Sequence, residues 1–179
     1  MRKFWLSIVA IFIVGFVTAQ EINFGVKGGF NTSMLKGDVD NTSALSGFHA
    51  GAFAEIKILN TLAIQPELLY STQGSKFDGS DDLKLDYFQV PVMGKFYFLN
   101  IVYVEGGPQV GFLTNAKLGD EDVKDSFTST DVSLGLGAGI NLLDKLRAGV
   151  RFNFGLSDIS ETSDDVKSFV FQVGGAYIF

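Results

Sequence analysis

Residues 146–156, LRAGVRFNFGL, decide the fold because their side chains alternate strictly in character. One face of the stretch carries only apolar side chains, whereas the other carries Arg147, Arg151 and Asn153 between glycines. A period of two is typical of a β-strand whose two faces meet different surroundings. The stretch therefore predicts a strand with one apolar and one charged side.

The same alternation recurs along the chain in segments of about ten residues, separated by polar stretches rich in Asp, Ser and Gly. After residue 20, no stretch shows the period of 3.6 residues that a helix requires. The sequence therefore predicts an all-β domain. The predicted strands lie near residues 22–32, 46–57, 61–72, 84–97, 101–114, 127–140, 145–156 and 168–179.

The connections between these strands alternate in length. Short turns are predicted at Leu59-Asn60, Leu99-Asn100 and Leu143-Asp144. Short turns at one end and long loops at the other are typical of a transmembrane β-barrel, with the turns in the periplasm and the loops outside. The long acidic segments between the turns are residues 34–45, 73–83, 115–126 and 157–167.

The size of an eight-stranded barrel decides which face points inward. Its interior only just accommodates its own side chains, and roughly forty large apolar side chains would not fit there. The apolar face is therefore predicted to contact outer-membrane lipid, and the polar face to fill the lumen as a plug of opposite charges. The predicted luminal charges are Lys27, Glu55, Lys57, Glu67, Lys95, Glu105, Asp131, Arg147 and Arg151.

Glycine and proline positions refine this prediction. Three alternate glycines on the inward face, Gly135, Gly137 and Gly139, are expected to make room for bulky luminal neighbours. Pro66, Pro91 and Pro108 lie within predicted strands, where the missing N–H leads us to expect local bulges. Because an open sheet edge is not tolerated in lipid, the first strand is expected to pair with the last.

The N-terminus has the pattern of a signal peptide. Arg2 and Lys3 precede an apolar run over residues 4–17, and small residues follow at 17–19. The run is shorter than the roughly 20 residues with which a helix spans a bilayer. We predict a cleaved signal peptide at 1–19 and an outer-membrane barrel domain at 20–179.

Composition excludes several classes of function. The chain has no cysteine, which excludes disulfides, a lipidated cysteine and thiolate chemistry. Without Arg2 and Lys3, 12 of the 14 basic residues remain against 20 acidic ones, a formal charge of −8. Such a chain is not expected to bind nucleic acid.

Two groups of residues are candidates for a site of chemistry. His49 is the single histidine, so a hydrolytic site would have to combine it with Glu55, Glu67 or Ser71. A lone inward histidine is more often a hydrogen-bonded luminal residue, so no catalytic residue and no cofactor are predicted. Residues 119–122 with Asp125, and the pair at 164–165, could offer oxygens to Ca²⁺. Their spacing matches no known calcium loop, and solvated loops are the favoured interpretation.

The last residues, 172–179 (QVGGAYIF), resemble the C-terminal signal of outer-membrane barrels. The resemblance is carried by Gln172, Gly174, Tyr177 and the terminal Phe179. It implies that the barrel assembly machinery recognises this strand.

The whole chain also resembles the PorT-like outer-membrane β-barrel family. The segments that carry the resemblance are GVKGGFN at 25–31, QPELLYS at 65–71, QVP at 89–91 and GPQVG at 107–111. It implies an eight-stranded barrel of the OmpA/OmpX-like type. The family takes its name from a member that takes part in secretion, but the resemblance does not imply that role for this chain.

These features predict an antiparallel up-and-down transmembrane barrel that is not an enzyme. Its expected role is structural, or interaction through its loops with surface or secretion-complex proteins. The alternatives are a narrow porin-like channel, a component of a secretion apparatus, a soluble lipocalin-type barrel and a hydrolase at His49.

Overall fold

The structure, a computed structural model, describes residues 21–36, 42–77, 82–98, 101–119, 121–124, 127–157 and 167–179. The predicted signal peptide and the predicted turn at Leu99-Asn100 lie outside these residues. Among the described residues, no helix is long and apolar enough to cross a membrane.

Nearly all of the described chain is antiparallel strand, and eight strands close into a barrel. Around the barrel the order is β4-β3-β2-β1-β9-β8-β7-β5, and β5 also pairs with β4. The predicted eight-stranded barrel and the pairing of its first and last strands are confirmed. The strands are β1 (Glu21–Lys36), β2 (Thr42–Leu59), β3 (Leu62–Phe77), β4 (Leu83–Phe98), β5 (Val102–Leu118), the two-residue β6 (Glu121–Asp122) beside the end of β5, β7 (Thr130–Leu143), β8 (Leu146–Gly155) and β9 (Lys167–Ile178).

An apolar belt surrounds the barrel, as the alternation predicts. Its side chains are outward and exposed, and Phe30, at 74%, is the most exposed of them. In β4 the belt covers residues 88–98 and in β5 residues 102–112, about eleven residues each, which is the length of a strand that crosses a bilayer. Directly beyond the belt the outward positions become polar at Thr32, Ser46, Thr72, Asp86 and Thr114.

Aromatic side chains border the belt at both ends. Towards the long loops, Phe88 pairs across strands with Tyr70 on one side and Phe112 on the other. Towards the short turns, the ring centroids of Phe96 and Phe98 lie 4.8 Å apart. Aromatic girdles at both interfaces are typical of outer-membrane barrels, so the two borders mark the edges of the bilayer.

The strands β1–β5 rise beyond the belt at the long-loop end, farther than predicted. β3 continues to Phe77 rather than residue 72, and β5 to Leu118 rather than residue 114. Backbone pairing holds these extensions together, since Ser75 pairs with Leu83 and Lys84 with Lys117.

The bulges predicted at the three prolines are wrong. Strand register is the same on both sides of Pro66, Pro91 and Pro108, and each proline only interrupts the ladder with the preceding strand. The register shifts nearest to the prolines lie at Leu62 and Ala63 in β3 and between Asp86 and Tyr87 in β4. A proline removes one N–H but adds no residue, so the neighbouring pairs keep the register that a bulge would change.

Candidate functional site in the barrel lumen

Most predicted luminal charges are buried inside the barrel. Glu55, Glu67, Lys95, Arg147 and Arg151 are among them. Glu105 is also buried, and the Lys27 side chain is 15% exposed. Lys57 differs from the prediction, because it lies at the rim of the short-turn end and binds the exposed Glu21 at 2.9 Å.

Arg151 is the centre of the polar lumen. Its Nη1 and Nη2 donate to Glu67 Oε2 and Oε1 at 2.9 and 2.7 Å, and its Nε donates to Glu105 Oε1 at 2.6 Å. β8 and β3 are four places apart in the eight-strand order, so this ion pair crosses the barrel. A bidentate guanidinium–carboxylate pair is among the strongest hydrogen-bonded contacts in proteins.

A second arginine pair lies nearer the short turns. Arg147 Nη2 donates to Glu55 Oε1 at 2.9 Å, its Nη1 contacts the other oxygen, and the Tyr97 hydroxyl donates to the same carboxylate. Lys95 joins the two pairs, with Nζ 3.9 Å from Glu55 and 3.5 Å from Glu105. Lys27 binds Glu67 at 3.3 Å. We call the seven residues Lys27, Glu55, Glu67, Lys95, Glu105, Arg147 and Arg151 the ion-pair network.

Two tyrosines that the predicted site omits pack against this network. The rings of Tyr97 and Tyr103 lie 5.6 Å apart, and Lys95 Nζ lies 4.1 Å from the Tyr103 ring centroid. Both tyrosines share the inward parity of Lys95 and Glu105, and that signal could have identified them.

The expected role of the inward glycines is confirmed. A Cβ placed on Gly139 would collide with the Tyr103 ring, and one placed on Gly137 would lie 3.0 Å from Glu105 Oε1. A Cβ on Gly135 would lie 2.9 Å from the Asn153 side chain. The glycines therefore leave room for the large side chains of the neighbouring strands β5 and β8.

His49 lies in a hydrogen-bonded polar layer beyond the network. Its Nδ1 lies 2.7 Å from Asn31 Oδ1, and Asn31 Nδ2 donates to Ser71 Oγ at 2.9 Å. Glu55 and Glu67 are held by the arginines, and among the described residues no carboxylate hydrogen-bonds to His49. This arrangement does not support a hydrolytic site.

Asp131 faces the lumen but does not join the ion-pair network. Its Oδ1 accepts a hydrogen bond from Ser157 Oγ at 3.2 Å. Across the ladder Gly137, rather than Asp131, lies opposite Arg151. The six residues from 131 to 137 correspond to roughly 20 Å of strand, which separates this carboxylate from the network.

At the long-loop end the side of the lumen formed by β4 and β5 is apolar, which corrects the prediction of a wholly polar interior. Leu83, Leu85, Tyr87, Leu113 and Ala116 form a buried cluster there. Leu118, Val123 and Phe127 pack against it from the end of β5 and the following segment. We call these eight residues the apolar cap. At the opposite end a pocket of about 550 Å³ opens toward the short turns, and Tyr97 and Arg147 are among its lining residues.

The residues of the predicted assembly signal divide between the two faces of β9. Gln172 is buried in the lumen opposite Arg151, whereas Tyr177 is exposed on the belt, with its ring 6.0 Å from that of Phe179. Gly174 lies between Gly29 and Gly149 on the neighbouring strands.

The acidic stretch considered for calcium is only partly described. Glu121 and Asp122 form β6, whereas Asp120, Asp125, Asp164 and Asp165 lie outside the described residues. Within the described ranges, no group of three or more potential ligands is placed to hold a metal.

Residues 18–161 match a family described as outer membrane protein beta-barrel domain. The chain belongs to this family. No curated protein matches the sequence. The family indicates the bacterial outer membrane as the location of the protein, while the narrower PorT-like membership stays a prediction.

Solved structures of two proteins share the fold. Ail, the attachment invasion locus protein of Yersinia pestis, is 18% identical with a TM-score of 0.60, over 89% of this chain and 99% of Ail. The structure of Ail in complex with the heparin analogue sucrose octasulfate is 19% identical with a TM-score of 0.58, over 89% of this chain and 99% of that one. Neisserial surface protein A is 21% identical with a TM-score of 0.60, over 87% of this chain and 97% of that one. At these identities the likeness shows the fold alone.

Proposed function

We propose that this protein is a non-enzymatic integral outer-membrane barrel with a filled lumen, whose long-loop end contacts other envelope or surface components. The predicted signal peptide at 1–19 would direct its export. The observation that carries the proposal is the ion pair of Arg151 with Glu67, which connects opposite walls across the middle of the lumen. Such a bidentate pair leaves its strands little freedom to part.

The apolar cap supports a closed lumen independently. Leu85 and Leu113 are buried beyond the edge of the bilayer, where Val123 and Phe127 cover them. In this proposal a solute entering from outside would pass the apolar cap before it meets the ion-pair network.

The distribution of charge supports a role at the long-loop end. The four predicted loop segments together carry thirteen acidic and five basic residues, which is the whole excess of −8. The rest of the chain after residue 19 is balanced, with seven residues of each sign. A partner with a cationic surface fits this end of the barrel. Ail is solved with a heparin analogue, but a polyanion of that kind would be repelled by these loops.

Single-channel recording in planar bilayers tests the filled lumen. The chain from Gln20 to Phe179 is refolded, and circular dichroism verifies its strand content before recording. We expect no reproducible conductance steps from the wild type. Discrete steps that change in Glu105→Gln or Arg151→Gln would instead favour the narrow channel, with the pocket at the short-turn end as its entrance.

A further inference from the structure

A small cavity lies beside the ion-pair network, against the wall formed by β8, β9 and β1. Its volume is about 40 Å³, room for one monatomic ion with roughly one or two waters. Gly149 of β8 and Gly174 of β9 pair with each other in its lining, so no side chain fills this part of the wall. The space is therefore built into the sequence of the wall.

The residues around this cavity are strongly cationic. Lys27, Lys95, Arg147 and Arg151 all line it, whereas Glu105 is the one carboxylate in its lining among the described residues. The whole ion-pair network has the same imbalance, with four cations and three carboxylates. A buried charge without a counter-ion is costly, so an excess of one positive charge calls for an anion.

An unpaired donor points to the same conclusion. Gln172 is 3% exposed and lines the cavity, and its Nε2 has no hydrogen-bond partner among the described residues. A buried N–H without an acceptor is destabilising, and an anion would accept from it. The unpartnered Oε1 of Gln65 in the same lining would be satisfied by a water bound beside the ion.

We propose that this cavity binds one small monovalent inorganic anion, of the size of chloride or bromide, as the counter-ion of the network. His49 also lines the cavity, and the distant Asp131 cannot replace the anion because it binds Ser157. The proposal does not depend on the function of the loops.

Bromide provides the direct test. Crystals of the refolded wild type, grown in bromide and measured at the bromine absorption edge, should show an anomalous peak between Lys27, Arg147 and Gln172. Bromide found only on the protein surface, with water or nothing in the cavity, would overturn the proposal. In that case a neutral lysine would account for the balance of charge.

Stability supplies a second readout that needs no crystal. We expect the wild type to unfold at a higher temperature in sodium chloride than in sodium gluconate of equal ionic strength, because gluconate is too large for the cavity. Equal midpoints in the two salts would contradict the proposal.

Two substitutions that change the net charge of the network in opposite directions make the test specific. Lys27→Met leaves three cations and three carboxylates, so the chloride effect should be lost. Glu105→Gln increases the positive excess, so the effect should grow. The exposed Lys84 lies at the long-loop end outside the cavity lining, and Lys84→Gln should behave as the wild type. An undiminished chloride effect in Lys27→Met would exclude this site as its source.

Discussion

Among single residues, Arg151 carries most of the electrostatic organisation of the lumen, since it holds two buried carboxylates at once. Truncating one partner of a buried ion pair is far more costly than the pair is stabilising, because the remaining charges stay buried and unpaired. We therefore expect Arg151→Met to lower the free energy of unfolding by about 3–5 kcal/mol. Urea unfolding in detergent, followed by circular dichroism, measures the loss.

The rim of the barrel offers a matched control for this substitution. Glu21→Gln breaks the ion pair with Lys57, in which the two side chains are 62% and 34% exposed. Exposed pairs contribute roughly 0–1 kcal/mol, so the change should be small. Equal losses in the two variants would show that burial does not decide the strength of the network.

Gly139 is expected to tolerate no side chain. A Cβ there would meet both the Tyr103 ring and the backbone oxygen of Ala148, so Gly139→Ala should destabilise the barrel by about 1–3 kcal/mol. Gly94→Ala is the control, because its Cβ would meet only Gly106 O at 3.5 Å. The same unfolding assay compares them, and a Gly139→Ala variant as stable as Gly94→Ala would refute the packing role.

For single residues, the sequence predicts whether a side chain points inward or outward better than it predicts which residue the side chain contacts. Alternation correctly places Lys95, Glu105 and Arg151 inside, because parity follows from strand geometry alone. It does not reveal that Arg151 meets Glu67, since that contact depends on the order of strands around the barrel. Nor does parity give height along the lumen, so Asp131 faces inward at a level where no arginine reaches it.

At the scale of the strand, β4 and β5 exchange their apolar and polar faces at the edge of the bilayer. In β4, Phe88 faces lipid, whereas the preceding Tyr87 faces inward at the apolar cap. Phe112 and Leu113 mark the same change in β5. The backbone of β4 keeps its parity through this point. In β5 an extra residue follows at Thr114, because Tyr87 pairs with Leu113 and Asp86 with Asn115, and the buried positions continue at Ala116. The outer surface of the barrel contacts lipid within the belt and water beyond it towards the long loops. The apolar side chains therefore lie on the outer face within the belt and on the inner face beyond it.

This exchange explains why the sequence predicts the end of β5 near residue 114 rather than at Leu118. A search for one constant alternation stops where the phase of hydrophobicity changes, and the residues beyond then look like loop. The adjacent large apolar pairs at 87–88 and 112–113 are the sequence signal of the membrane edge. Such pairs should be sought in other strands of this type.

A lysine placed on either side of the membrane edge tests its position. Val92 lies outward within the belt of β4, so Val92→Lys should cost about 2–4 kcal/mol of folding free energy in lipid vesicles. Thr114 lies outward just beyond the belt of β5, so Thr114→Lys should cost about 0–1 kcal/mol. Similar costs at the two positions would mean that the belt does not mark the hydrocarbon layer.

For the whole molecule, charge separates along the barrel axis. The ion-pair network keeps the wall nearly neutral, so the acidic excess is concentrated in the segments that join strands at the long-loop end. Composition predicts this excess, but which acidic residues are luminal follows only from the closed barrel. Composition alone would assign Glu55 and Glu67 to an acidic surface, yet both are buried in the lumen.

A lysine-rich peptide is the probe for this asymmetry. The refolded protein in nanodiscs exposes both ends, and we expect the peptide to bind with an affinity that falls steeply with salt, whereas heparin should not bind. Removing two acidic residues from the long-loop end, with Glu121→Gln and Asp122→Asn, should weaken binding severalfold. Removing two from the other end, with Glu21→Gln and Asp144→Asn, should change it little, because the charge there is nearly balanced by neighbouring lysines. Equal effects of the two double variants would mean that net charge alone attracts the peptide. The long-loop end would then not be the interaction surface.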